Sequence, residues 1–373
     1  MKIAIIADVI NEHSGARAPI RLAQFLCKEG QDVSFSASNY LLDSKLKEEI
    51  QKKGIKVFVL TFNQIPLLGR FLSALKLFSY LKKGNFDIIS LQSSSLFYTI
   101  VKFTGIPIIK TYYGTQLDLG LDMRGGLISL VPAWILKSII IIREKLFFLI
   151  SDQVIAISKY LVTEAKQIYN KDIKYIYLGV DLFEINKKME KRENNKINIL
   201  SVSRIVPYKG FHQLIKAFLT VNKKVPNLRL YIVGTAPFLK YLSFLKRIKN
   251  DNVKILLDIS DEQLGSLYKN CDIYATFDQW VPWSLTPLEA SLYSKPLLGL
   301  KSGAMEEVIQ HNKNGLLAND FHEFTNYLYK LATNKDLRER LGKEAEKLVK
   351  KFSWEKSAKE YLKVFRGVFE KNN

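Results

Sequence analysis

Short apolar runs alternate with amphipathic stretches along nearly the whole chain. Lys2–Ala7, Gln31–Ser36, Lys56–Leu60, Asp87–Leu91, Pro107–Thr111 and Gln153–Ile157 read as buried strands. Between them, Ala18–Glu29 repeats its apolar residues at helical spacing, with Gly30 as the stop, and Phe71–Lys82 is a basic amphipathic helix. The pattern pauses at Lys187–Lys196, a polar and highly charged stretch that reads as a linker. It then restarts. Ile197–Val202, Leu228–Val233, Val253–Leu257, Ile273–Thr276 and Lys295–Leu300 are predicted strands; Phe211–Val221, Asp261–Asn270 and Leu285–Tyr293 are predicted helices. From Phe321 onward the chain is helical and amphipathic. Strands alternating with helices imply right-handed crossovers and parallel sheets. The expectation is two α/β domains joined near residue 185.

Composition changes this picture little, and charge changes it more. Apolar residues make up 47% of the 373 and charged residues 25%, ordinary for a globular protein. A net charge of +20 favours anionic partners: phosphorylated ligands, anionic lipid or nucleic acid. Lysines scattered over surface helices are the plainer account. A nucleic-acid partner is not expected, because no helix-turn-helix, RNA-recognition signature or basic-aromatic interleaving is present. Cys27 and Cys271 stand far apart without a CxxC or a His/Cys cluster, so buried thiols are expected rather than a disulfide or a zinc site. Met1–Ala7 is too short for a signal-peptide core. Leu127–Ile150 is broken by Pro132, Lys137, Arg143, Glu144 and Lys145 and falls short of a spanning helix. A cytoplasmic protein is expected, either free or peripheral at the membrane face.

Three strand-to-helix junctions carry candidate chemistry. At the first, Ser14-Gly15-Ala16 would let a ligand approach the backbone at a helix start. No GxGxxG or GxxxxGK[ST] motif occurs. At the second, Arg204 and Lys209 flank the turn after a strong strand, and Gly210 opens the next helix. Two cations over the carboxyl end of a strand can neutralise a diphosphate without magnesium, although surface cations are common in a chain with 56 Lys and Arg. At the third, Trp283-Ser284-Leu285-Thr286-Pro287 leads into Leu288-Glu289-Ala290. The amides of Leu285 and Thr286 can meet phosphate oxygens, and Glu289 can accept from ribose hydroxyls. A simple complement to the helix dipole is the other account of Glu289.

Taken together these residues resemble the GT-B glycosyltransferases, specifically the large retaining glycosyltransferase family 4. The likeness runs through Ser14-Gly15-Ala16, Glu29-Gly30-Gln31-Asp32-Val33, Ser151–Ser158 and Leu178-Gly179-Val180-Asp181. It continues through Arg204 with Lys209-Gly210, Tyr231–Gly234, Leu285–Glu289, Lys295-Pro296, and Gly303–Ile309 with Gly315-Leu316-Leu317. The resemblance implies two Rossmann-like α/β domains facing each other across a cleft. Residues 1–182 would bind the acceptor, 183–353 the nucleotide-sugar donor, and a C-terminal helix, 354–373, would cross back to the N-terminal domain. It implies Arg204 and Lys209 as the catalytic cations, and Gly15, Ala16, Gly234, Ser284, Leu285, Thr286 and Glu289 as donor-binding residues. The substrate would be a UDP- or GDP-sugar, with no cofactor and no metal, and the acceptor a glycan or lipid-linked molecule. Apart from the resemblance, the basic apolar helices Phe71–Lys83 and Ile135–Ile150 either lie on an anionic membrane surface or simply pack on the first sheet. Two departures stand out. The first acid of the family's Glu-x7-Glu motif falls on Val281, and the His of its "HG" motif falls on Tyr113. Tyr113, Asp278 and Val281 are therefore the sugar-contact candidates. Val281 also admits a different reading, a non-catalytic partner subunit that binds sugar nucleotides. His13, His212, His311 and His322 form no cluster in the sequence and receive no role.

Overall fold

The computed structural model describes residues 1–10, 17–38, 42–60, 66–115, 132–181 and 196–372, with the backbone alone for 66–68. The chain divides into two compact units, Met1–Gly179 with Trp354–Asn373, and Val180–Ser353. The predicted linker, apart from Lys196, lies outside the described residues.

The first unit runs β1 (Lys2–Ile6), α1 (Arg17–Lys28), β2 (Asp32–Ser38), α2 (Ser44–Lys52), β3 (Lys56–Leu60), α3 (Pro66–Lys83) and β4 (Ile88–Leu91). A 3-10 segment at Leu96–Thr104 precedes β5 (Ile108–Tyr112), α4 (Ala133–Ile150), β6 (Gln153–Ala156), α5 (Lys159–Tyr169) and the short β7 (Lys174–Tyr175). Its sheet is ordered β3-β2-β1-β4-β5-β6-β7 and every pairing is parallel. Strands covered on both faces read as unbroken apolar runs. Ile3, Ala4, Ile5 and Ile6 are all fully buried, with Ile5 opposite Phe35 on β2.

The second unit runs β8 (Ile197–Val202), a 3-10 turn (Pro207–Lys209), α6 (Phe211–Asn222), β9 (Leu228–Val233), α7 (Leu239–Ile248) and β10 (Val253–Leu256). It continues with α8 (Asp261–Asn270), β11 (Ile273–Thr276), α9 (Thr286–Leu292), β12 (Leu297–Leu300), α10 (Met305–Val308), β13 (Gly315–Ala318), α11 (Phe321–Thr333) and α12 (Lys335–Val349). The sheet order is β10-β9-β8-β11-β12-β13, again all parallel. This is the 3-2-1-4-5-6 order of a dinucleotide-fold sheet. Its core joins Phe211, Leu214 and Phe218 of α6 to Ile232, Phe277, Phe324 and Leu328. Local signals agree with the ends of elements. Ser260 and Gln263 form a reciprocal capping box at the start of α8.

The last helix, α13 (Trp354–Asn372), belongs to the first unit and lies against α1. Tyr361 is fully buried and its hydroxyl meets Thr111 Oγ1 at 3.1 Å, while Ser357 Oγ donates to the Tyr177 carbonyl at 2.5 Å. Both cysteines are free thiols. Cys271 is buried as expected, but Cys27 is only partly so, because it sits near the end of α1 with Sγ 3.2 Å from the Lys53 carbonyl.

Candidate functional site in the second unit

In the second sheet the strand order reverses between β8 and β11. Connections leaving the carboxyl ends of these two strands run to opposite sides, which opens a crevice there. Arg204 and Lys209 follow β8, and Asp278 to Thr286 follow β11. Strand order, not sequence distance, thus brings together the two stretches singled out above.

The loop after β8 is pinned along the turn after β9. Ser203 N donates to the Val233 carbonyl at 3.0 Å, and Ile205 N to the Thr235 carbonyl at 2.8 Å. Gly234 makes this approach feasible: at φ +156° a Cβ there would stand 1.8 Å from the Ser203 carbonyl oxygen. The next constraint is Gly210, whose φ of +63° is left-handed and whose Cβ would stand 2.3 Å from the Phe277 carbonyl oxygen. Side-chain-free backbone at Gly210 lets the 3-10 turn lie directly on the end of β11. Gln279 N reaches the Tyr208 carbonyl at 3.0 Å from the other side.

Lys209 is consequently placed beside Asp278. Its Nζ lies 2.5 Å from Asp278 Oδ2, with the side chains 15% and 4% exposed. Asp278 is itself held. Thr276 Oγ1 donates to its Oδ1 at 2.8 Å, and Ser302 Oγ donates to its backbone carbonyl at 2.8 Å. Arg204 Nη2 donates to Tyr208 Oη at 2.8 Å, and the Tyr208 ring lies 5.4 Å from Lys209 Nζ and edge-on to Trp280. The two cations are therefore tethered to neighbours, and one of them is already matched by a carboxylate.

The α9 junction is built on two buried tyrosines. Tyr274 Oη contacts Thr286 Oγ1 at 2.6 Å and lies 3.3 Å from the Val202 carbonyl. Tyr268 Oη donates to Glu289 Oε2 at 2.7 Å. Burial holds both phenols well above their usual range, with the Glu289 charge adding to the effect on Tyr268. They stay protonated and act as donors. Glu289 is 6% exposed, and its amide closes the first helical hydrogen bond on the Leu285 carbonyl at 2.8 Å. The amides ahead of it, those of Leu285 and Thr286, are the ones a helix start leaves without helical acceptors. Ser284 is buried beside them.

Val281 is fully buried and its carbonyl accepts from Ala304 N at 2.6 Å. The position that resembles the family's first acid is thus a packed aliphatic, and the nearby carboxylate is Asp278, paired with Lys209. Tyr113 lies in the first unit just after β5, where its hydroxyl donates to Gln92 Oε1 at 2.7 Å. Burial first, then Tyr361 and Asp8, hold that hydroxyl well above the ordinary tyrosine range, so it is a donor and not a base. Gly15 and Ala16 fall outside the described residues. Sequence reasoning missed Tyr208, Tyr268, Tyr274, Thr276 and Ser302. The tyrosines look like ordinary core aromatics in sequence, and only their hydroxyl contacts distinguish them.

Comparison with known proteins gives this geometry a family. The model described as Glycosyltransferase Family 4 matches residues 16–183, and the model described as Glycosyl transferases group 1 matches residues 183–348. The matches meet end to end across both units, and the chain belongs to the family-4-type glycosyltransferases of GT-B fold. An uncharacterized glycosyltransferase of Methanocaldococcus jannaschii is 30% identical over 234 residues, 59% of this chain and 60% of that protein. The alpha-monoglucosyldiacylglycerol synthase of Acholeplasma laidlawii is 25% identical over 199 residues, 53% of this chain and 50% of that protein. The matches to these curated relatives therefore cover less than two thirds of their length. Among solved structures, Anabaena HepE in complex with UDP and glucose is similar in fold, with a TM-score of 0.78 at 19% identity, over 98% of this chain and 100% of that one.

Proposed function

We propose that the protein is a retaining, metal-independent glycosyltransferase that moves a sugar from a UDP- or GDP-linked donor to a glycan or lipid-linked acceptor. The observation that carries this reading is the cluster of Arg204, Tyr208, Lys209 and Asp278 at the reversal point between β8 and β11. A nucleoside diphosphate there would have two cations and the Leu285 and Thr286 amides to receive its charge. In the reaction, the bond from the anomeric carbon to the phosphate oxygen breaks as the acceptor hydroxyl attacks from the same face. The hydroxyl's proton passes to the departing phosphate oxygen, so no protein base or covalent sugar intermediate is required. Glu289, held by Tyr268, would orient the ribose. A UDP-bound structure of similar fold and a relative that acts in glucolipid synthesis support the donor and acceptor classes. Polysaccharide or glycolipid synthesis at the cytoplasmic face of a membrane is the setting that fits.

A second reading has its own observation. Because Val281 is wholly buried, the chain would bind a sugar nucleotide but serve as a non-catalytic subunit. Thermal denaturation with UDP, GDP, ADP and their sugars separates the two, since a ligand of the native state raises its midpoint. The leading reading expects a shift with one nucleotide series, its loss in Arg204→Ala, and turnover of the matching donor. A shift without hydrolysis or transfer across the donor panel supports the second reading. No shift with any nucleotide overturns both.

A further inference from the structure

We propose that one face of the first unit, made by α3, the 3-10 segment at Leu96–Thr104 and α4, is a docking surface for an anionic lipid bilayer. This deepens the lipid-linked acceptor reading and takes its purpose from it, while the binding itself can be measured without any donor. The inner faces of the three segments meet in a single core. Leu77 and Leu81 of α3, Tyr98 and Val101 of the 3-10 segment, and Phe147 of α4 belong to the same buried cluster. The segments are therefore neighbours, and their opposite faces point outward together.

Those outer faces are apolar. Among the described residues, ten of the fifteen exposed large hydrophobic side chains lie on these three segments. On α4, Ile139, Ile142, Leu146 and Leu149 recur at helical spacing, with Ile142 65% and Leu149 72% exposed. Trp134 opens the same helix at 69% exposure. Phe103 stands out of the 3-10 segment at 77%, and Phe71, Leu72 and Leu75 face outward from α3. Single exposed hydrophobics are normal on a folded protein, but a concentration of this kind marks an interaction surface.

Charge selects the occupant. The three segments carry Arg70, Lys76, Lys82, Lys83, Lys102, Lys137, Arg143 and Lys145 against one carboxylate, Glu144. Glu144 is buried and paired with Arg143 at 2.8 Å. Lys102 reaches out to Asp152 at 3.9 Å, beyond the end of α4. Apolar side chains interleaved with cations, almost free of exposed acid, match a layer of anionic headgroups over acyl chains. No helix among the described residues is long and apolar enough to cross a membrane, so these elements would lie in the interface and not span it.

The test is co-sedimentation of the whole protein with vesicles of phosphatidylcholine alone or mixed with phosphatidylglycerol, at low and high salt. Emission from Trp134 reports insertion, with Trp134→Phe as the control. Binding is expected on the mixed vesicles, weakened by salt, with a blue shift that the control lacks. Ile142→Asn with Leu149→Asn should weaken binding by about tenfold per side chain, and Lys76→Ser with Lys145→Ser by about fivefold per charge. All four positions are exposed, so the thermal midpoint and the nucleotide shift should persist, which separates this proposal from the donor reading. Absence of binding to the anionic vesicles, or binding that the apolar variant leaves intact, overturns it. So does concentration-dependent dimerisation that this variant abolishes in a protein that ignores vesicles; the face would then belong to a second copy.

Discussion

Asp278→Asn probes how the donor site holds its charge. Lys209 Nζ and Asp278 Oδ2 are 2.5 Å apart with side chains 15% and 4% exposed, so one of the two cations is neutralised before any ligand arrives. A diphosphate must draw Lys209 away from that carboxylate or share it. Asn keeps the shape and the contact with Thr276 while removing the charge. Two unit charges about 6 Å apart interact by roughly 3 kcal/mol at an effective dielectric near 20. Relieving that repulsion should tighten binding of the preferred nucleotide by on the order of ten- to hundredfold. The fold should lose about 1–3 kcal/mol, because Lys209 gives up its charged partner while keeping access to water. Lys209→Ala has the opposite sign on affinity. It removes a phosphate cation and leaves Asp278 buried and uncompensated, at about 3–5 kcal/mol of stability. Calorimetric titration with UDP and GDP, alongside urea denaturation, measures both quantities. A folded Asp278→Asn protein that binds its nucleotide tenfold more weakly than the unaltered chain refutes the argument. The carboxylate would then be holding Lys209 in position for the phosphate and not competing with it.

Three further outcomes test the surrounding structure. Gly234→Ala sets a methyl 1.8 Å from the Ser203 carbonyl oxygen and should cost at least about 3 kcal/mol by urea denaturation; an unchanged midpoint would mean that the loops are not pinned as described. Tyr268→Phe removes the 2.7 Å donor to buried Glu289 and should cost about 1–3 kcal/mol. In a double-mutant cycle with Glu289→Gln the two effects should be strongly non-additive, and simple additivity would contradict the pairing. Glu164 has its carboxyl raised above the ordinary 4.5 by burial, against lowering by the Tyr112 hydroxyl and the Thr115 amide. The folded state therefore holds that proton more tightly than the unfolded chain. The stabilisation is full below 4.5 and is lost as pH rises through the folded value. Relative to Glu164→Gln, the unaltered protein should lose stability from acid to neutral pH, and parallel denaturation profiles would rule this out.

The strands were legible because a parallel sheet covered on both faces turns many of them into short, largely apolar runs, as at β1. β7, with two residues, is too short to leave such a pattern. Helix α4 shows where periodicity runs out. Apolar residues occur on every side of it between Lys137, Arg143 and Lys145, so the sequence could not say that Phe147 is fully buried while Ile142 faces solvent. The same limit governs the site. Arg204 and Lys209 announce themselves as cations at a strand-to-helix junction. Lys209's partner lies 69 residues further on, and no spacing rule reaches it. The pairing exists because β11 crosses to the far side of β8, opposite β9, and because Gly210 lets the loop after β8 rest on the end of β11. A motif can name residues that tend to occur together, but their charge balance is set by strand order. Val281 illustrates the complementary case. Its departure from the family pattern was visible in the sequence, yet only its complete burial shows that restoring a carboxylate there would put a charge into packed core, at a cost that a surface substitution would not carry.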